Sequence, residues 1–374
     1  MAFQYFPTME IQRTENDDED EMFSVHGHAG NLCRDTILDK LKTMIRSTSM
    51  NKTDLPVSIA DYGTADGRAS LSLINEMIDV VQEILGKDQV INVYCNDQPL
   101  NDFNILSKVI TGLVIMSGLR VDSNIYSVVV PRSMYDQCLP NNSLGLAMSF
   151  VATHYLSKQV WQIQNGVFFE EADDNEQSVM KEQGKADWRD FVISRGRELK
   201  PGGFLVSLNA SVDEQNHVTS HIEGGNGNLG SFIFDMVKED VITKEEYRAM
   251  NFSNHYVRTA ADFMEFSSAI PEVVELGLEM VSIKSMKQYL KHPVFDIANK
   301  NETEKREYAR KISDAVFPWL YHVFDGGLSK SRTKGERDMI IDQYFIRLKA
   351  YAFEHSDFKP YLIFSEVVIQ KKHA

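Results

Sequence analysis

The stretch Ile59-Ala60-Asp61-Tyr62-Gly63-Thr64-Ala65-Asp66-Gly67 decides the reading of this chain. An apolar run that ends in a carboxylate, turns on two glycines and enters a helix is how a doubly wound sheet presents its backbone to a nucleotide-like ligand. About one βα unit later, Val93-Tyr94-Cys95-Asn96-Asp97 sets a second carboxylate at a strand end, where a ribose diol would lie. Together they point to an adenosine-containing cofactor. The turn lacks the three-glycine dinucleotide pattern, because with Gly67 as the middle glycine Ala65 and Ser70 take the outer places. That argues against a nicotinamide dehydrogenase and fits a cofactor with no pyrophosphate to cradle, such as S-adenosylmethionine. Asp97 can accept both ribose hydroxyl protons; its plainer alternative is a cap for the helix that begins near Asp102. Asp61 either contacts the cofactor or only braces the glycine turn.

Outward from this motif the chain alternates strands with helices. Apolar runs at Val57 to Tyr62, Val90 to Cys95, Ile125 to Val130, Leu144 to Phe150 and Phe204 to Leu208 read as strands. Helical spacing covers Asn31 to Ile45, Ala69 to Leu85, Phe103 to Met116 and Trp188 to Leu199, the last stopping at Pro201-Gly202-Gly203. The class is α/β, with a doubly wound, mostly parallel Rossmann-like sheet covered on both faces. From His221 to about Lys330 the spacing is helical with no run of strands, and the alternation resumes with a helix over Glu336 to Phe353 and a strand over Tyr361 to Gln370. The expected organisation is an acidic flexible tail over 1–22, a cofactor-binding α/β domain over 23–220 and 331–374, and an inserted, mainly helical cap over 221–330 that covers the substrate pocket. The acidic stretch Glu170 to Glu176 reads as a solvated loop or a helix start.

Composition narrows the function. With 39 basic and 54 acidic residues among 374, the net charge of −15 argues against a broad phosphate-binding face, so no nucleic-acid partner is expected. Cys33, Cys95 and Cys138 are odd in number and widely spaced, which suggests neither a disulfide framework nor a four-ligand zinc site. His26 and His28 alone make an incomplete metal site, so no metal is expected. Neither a signal peptide nor a membrane span is visible, and a cytoplasmic protein without a membrane partner is the expectation.

A specific resemblance rests on phrases beyond the glycine turn. Asn96-Asp97-Gln98-Pro99-Leu100-Asn101-Asp102-Phe103-Asn104, Ser133-Met134-Tyr135, Leu139-Pro140-Asn141-Asn142-Ser143-Leu144 and His154-Tyr155-Leu156-Ser157 occur in order, followed by Leu199-Lys200-Pro201-Gly202-Gly203 and the stretch Phe252 to Thr259. In these the chain resembles the SABATH family of S-adenosylmethionine-dependent methyltransferases, from about Phe23 to the C-terminus. The resemblance implies a class I methyltransferase sheet, S-adenosylmethionine as cofactor, a small carboxylic acid as methyl acceptor and a homodimer. It gives Asp61, Gly63 and Gly67 to the methionine side of the cofactor, Asp97 to the ribose, Gln98 to the flank of the adenosine, and Ser133 and Met134 to the adenine. Tyr155 stands where the family has a Trp that hydrogen-bonds the substrate carboxylate, His154 beside it is pocket wall rather than general base, and His255 and Tyr256 match a cap segment lining the substrate pocket.

The departures concern the acceptor. The family's N-terminal Gln, which fixes both substrate carboxylate and cofactor, corresponds to Gly30, leaving Asn31, His26 or His28 to compensate, and Ala69 replaces an Asn after the glycine turn. A carboxylate is already ionised at neutral pH, so its methylation needs positioning and exclusion of water rather than a strong base. The expected function is O-methylation of the carboxylate of a small lipophilic acid. N-methylation of a small heterocycle, or a cofactor-binding protein with little turnover, are the alternatives.

Overall fold

A computed structural model describes residues 30–47, 55–113, 118–120, 122, 124–158, 160, 163–212, 220–250, 255–265 and 270–373. The strands are β1 (Val57–Tyr62), β2 (Ile91–Asp97), β3 (Ile125–Pro131), β4 (Leu144–Phe150), β5 (Leu199–Ala210), β6 (Leu278–Tyr289) and β7 (Tyr361–Lys371). They form one seven-stranded sheet in the order β3-β2-β1-β4-β5-β7-β6. The first five run parallel; β7 is antiparallel to β5, and β6 antiparallel to β7. The order reverses between β1 and β4, so a crevice opens at the C-terminal ends of those strands, where ligands bind in such sheets.

The helices are α1 (Arg34–Ser47), α2 (Arg68–Leu85), α3 (Phe103–Ile110), α4 (Asp174–Glu198), α5 (Gly225–Lys238), α6 (Lys244–Ala249), α7 (Ala260–Met264), α8 (Pro271–Glu275), α9 (Pro293–Asp296), α10 (Glu302–Gly327) and α11 (Lys334–Glu354). Five start on reciprocal caps written in the sequence: Asp173 with Glu176, Thr243 with Glu246, Thr259 with Asp262, Asn301 with Glu304, and Thr333 with Glu336. Side-chain alternation then divides the sheet. Val57, Ile59, Val206, Leu208 and Phe364 face a core shared with α1, α2, α5, α10 and α11, while Ala60, Tyr62, Leu205 and Val367 face Trp188, Phe191 and Val192 of α4. No described helix is long and apolar enough to cross a membrane.

Three expectations change. The span 221–330 is not helical throughout: β6 lies inside it and forms the sheet edge beside β7. Pro201, Gly202 and Gly203 belong to β5 instead of separating it from α4, with Gly202 at φ +83° supplying the bend. The acidic stretch is a helix start rather than a solvated loop. Glu176 is buried in its cap, Glu171 accepts from the Val167 and Phe168 amides at 2.8 and 2.9 Å, and Glu170 accepts from Asn226 at 3.0 Å.

Candidate active site

Asp61 is the penultimate residue of β1, and its side chain is buried. Ser70, at the head of α2, donates its hydroxyl to Asp61 Oδ2 at 2.6 Å, while Oδ1 is buried and has no hydrogen-bond partner among the described residues. Burial, opposed by Ser70 and Thr64 and reinforced by the charge of Asp97, pushes the carboxyl up to about 6. An orphaned carboxylate oxygen at a strand end is a seat for a cation or a donor. The turn that follows packs against two other segments of the chain. Gly63, at φ +76°, lies so close to Ala152 that a Cβ would collide with it; Gly67, at φ +85°, leaves 2.7 Å between its missing Cβ and Leu106.

At the end of β2, Asp97 accepts from the Ala65 and Gln98 amides, both at 2.7 Å, which fixes the carboxylate against the glycine turn. Its pKa is raised by burial against the pull of these two amides. The helix-cap alternative falls away because Asp102 itself caps α3, accepting from Asn104 at 2.9 Å and Ile105 at 3.4 Å. Two amides leave the carboxylate with free lone pairs, as binding of a diol requires.

Beyond β3, Ser133 and Met134 open a loop whose shape comes from residues that the motifs do not single out. Arg195 and Glu198 of α4 are wholly buried and paired at 2.7 Å. Arg195 donates to the carbonyls of Met134 at 2.6 Å and Asp136 at 2.8 Å, while Glu198 Oε1 accepts from the Cys138 and Leu139 amides at 2.5 and 2.9 Å. Tyr62 donates to Glu198 Oε2 at 2.5 Å, and the guanidinium stacks 3.8 Å from the Tyr62 ring. The loop is thereby tied to β1, and Met134 lies beside Gly63. The clue was in the sequence: Arg195 and Glu198 continue the helical stripe of Trp188, Phe191, Val192 and Leu199, so two charges occupy apolar positions.

The acceptor side begins where β4 ends. Val151 takes φ +52°, a strained conformation for a β-branched residue, as the chain leaves the sheet. The His154 and Tyr155 rings lie 4.2 Å apart, tilted by 35°, and His255 meets His154 edge-on at 6.3 Å across a bridge pairing Tyr155 with His255. Burial pushes the Tyr155 phenol up to about 12. Arg258, almost wholly buried, donates to the Thr153 carbonyl at 2.7 Å.

Tyr256 joins this cluster through its backbone amide, which donates to the His154 carbonyl at 2.8 Å. Its side chain is buried, its hydroxyl donates to Asp262 at 3.0 Å, and its ring fills the space that a Cβ on Gly184 would need, so it braces its segment against α4. His26 and His28 lie outside the described residues. Asn31 is exposed. The two departures from the family pattern meet in space: a Cβ on Gly30 would stand 2.9 Å from the Ala69 carbonyl oxygen. Any side chain at position 30, Gln included, would press on this backbone oxygen unless the backbone moved.

Residues 23–331 match the model of a family described as SAM dependent carboxyl methyltransferase. The chain belongs to this family. The match agrees with the SABATH resemblance of the sequence and makes S-adenosylmethionine its cofactor. Among its relatives, methyltransferase LUC1 of a Fusarium species is 26% identical over 289 residues, covering 76% of this chain and 74% of that protein. Loganic acid O-methyltransferase of Catharanthus roseus is 24% identical over 256 residues, covering 62% of this chain and 67% of that one. A solved structure of a loganic acid methyltransferase with SAH superimposes with a TM-score of 0.70 over 95% of this chain and 96% of its own, at 16% identity, which establishes the shared fold. This carboxyl methyltransferase presents carboxylates at the ends of β1 and β2 that fit the cofactor: one with an oxygen left for a cation, the other with lone pairs left for a diol.

Proposed function

We propose that this methyltransferase esterifies the carboxylate of a small lipophilic acid. The observation that carries this reading is the placement of the Tyr155 phenol, protonated at neutral pH as any tyrosine is, beside His154 and His255. A protonated phenol donates a hydrogen bond to a carboxylate and cannot serve as a base at neutral pH, and an acid that is already ionised needs no base. The cofactor supplies an electrophilic sulfonium methyl. Asp97 would hold its ribose, Asp61 its ammonium, Ser133 and Met134 would border its adenine, and Gln98 would flank the adenosine. An acid oxygen held by Tyr155 would accept that methyl with the electron pair of the carbon–sulfur bond left on sulfur, so none of these residues would have to move a proton.

With no Gln at position 30, orientation of the acid falls to the wall of His154, Tyr155 and His255, under the helical layer that we place over the pocket. Holding the oxygen in line at near-attack distance can remove roughly 7–11 kcal/mol of barrier. We also take the working form to be a homodimer, as the family resemblance implies, to be read by sedimentation velocity. The deciding experiment is transfer of labelled methyl from S-adenosylmethionine to a panel of aromatic and terpenoid acids and of heterocyclic amines. An ester releases its label as methanol on mild alkaline hydrolysis; alkali-stable label on an amine would overturn the reading. With the best acid, Tyr155→Phe should raise KM and leave SAH affinity nearly intact, and equal KM values would remove Tyr155 from acceptor binding.

A further inference from the structure

We propose that Tyr135 is a positioning residue that sets the acceptor wall from the cofactor side of the site. Tyr135 follows Ser133 and Met134 in the anchored loop, where its own carbonyl accepts from Ser194 at 3.1 Å and its neighbours are held by Arg195 and Glu198. Its side chain leaves that loop, and its hydroxyl reaches the carbonyls of Thr153, at 3.3 Å, and Tyr155. Burial pushes this phenol well above its ordinary pKa, so it remains a donor at every working pH.

The segment it reaches has little support of its own. After the strained turn at Val151 the chain has no strand or helix; one local bond runs from the Tyr155 amide to the Ala152 carbonyl at 3.2 Å, and donors from elsewhere hold the carbonyls of Thr153, His154 and Tyr155. Arg258 serves Thr153, the Tyr256 amide serves His154 at 2.8 Å, and Tyr135 serves Thr153 and Tyr155. Of these three donors, Tyr135 alone comes from the loop given to the adenine. Gly63 packs on Ala152 in the same place, so the cofactor turn is already in van der Waals contact with the start of the segment. A purine seated against Ser133 and Met134 adds its contacts to a loop already anchored by Arg195 and Glu198, and the phenol carries that added restraint to the backbone of Thr153 and Tyr155.

The inference rests on Tyr155 being part of the acceptor wall, but its test uses SAH and no acid. In the wild type, saturating SAH should slow amide exchange across residues 152–156 by at least about fivefold, the low end of ordinary coupling between sites. Tyr135→Phe keeps the ring and removes the hydroxyl, so this protection should vanish. SAH affinity, and protection of the peptide carrying Asp97, should stay within about twofold of wild type. Full protection of 152–156 in the variant, no protection in the wild type, or a parallel fall in SAH affinity would each overturn the proposal. Should Tyr135→Phe fail to fold, Ser194→Ala loosens the same residue from its other end and should lose part of the protection; unchanged protection there would count against it. A failure of Tyr155→Phe to alter KM would instead strike the acceptor reading and leave these exchange results standing.

Discussion

Two carboxylates, Asp61 and Asp97, have different tasks because they have different partners. Asp97 is already hydrogen-bonded by two amides, and the role we propose for it is that of a fixed acceptor for the ribose hydroxyls. Its loss should remove a charge-assisted bond of about 1.5–3 kcal/mol, so Asp97→Ala should weaken SAH binding roughly 10- to 150-fold in a calorimeter. Asp61 is instead a carboxylate short of a partner. Its pKa of about 6 in the folded protein exceeds the unfolded value, so the folded chain holds a proton that the unfolded chain has released. The associated stability is complete below the unfolded pKa and is lost as pH rises through about 6. A cofactor ammonium on the free oxygen favours the ionised form, which reverses the sign for binding. SAH affinity should therefore rise with pH through this range, by up to ~10-fold for each unit by which binding lowers the pKa, and Asp61→Asn should flatten the profile.

At the scale of elements, α4 holds the loop from Ser133 to Leu139 through Arg195 and Glu198 and the segment of Tyr256 through Gly184. Glu198→Gln leaves a buried guanidinium without its counter-charge, a change that typically costs about 3–5 kcal/mol and that urea unfolding would report. Arg195→Met combined with Glu198→Gln should cost clearly less than the sum of the two single changes, since the second removes a charge that the first has already orphaned. Most of the parallel sheet was legible because β1, β2, β4 and β5 are apolar runs closed by turn residues. β6 was not. Its partly buried residues, Met280, Ile283 and Met286, are three positions apart: an irregularity between Met280 and Ser282 brings Met280 and Ile283 onto the core beside α4, while Met286 packs on the core of the opposite face. That spacing reads as helix. Arg195 and Glu198 went unread for a related reason: a charge pair in an apolar stripe announces burial, yet which loop it grips depends on contacts some sixty residues away in sequence.

At the scale of the whole molecule, the position of β6 bears on whether sheet and cap are separable. A cap inserted between strands at one point could melt alone, but here the chain crosses from α8 into the sheet at Leu278 and back out at Tyr289 before building α9 and α10. One continuous apolar cluster joins Val57, Leu208 and Phe364 of the sheet to Ile233, Tyr308, Ile312, Leu320, Tyr344 and Leu348 of α5, α10 and α11. Peeling the helices away would strip one face of the sheet, and burial at roughly 25 cal/mol per Å² makes that loss comparable to the stability of an ordinary domain. We therefore expect sheet and helical layer to unfold together. In native-state hydrogen exchange under rising urea, the slowest amides of α10 and of β7 should converge on one unfolding free energy with one denaturant slope. A separate, earlier transition for α10 and α11 while β7 stays protected would show a cap that opens as a unit, and acceptor entry could then proceed through cap unfolding rather than through the crevice at the ends of β1 and β4.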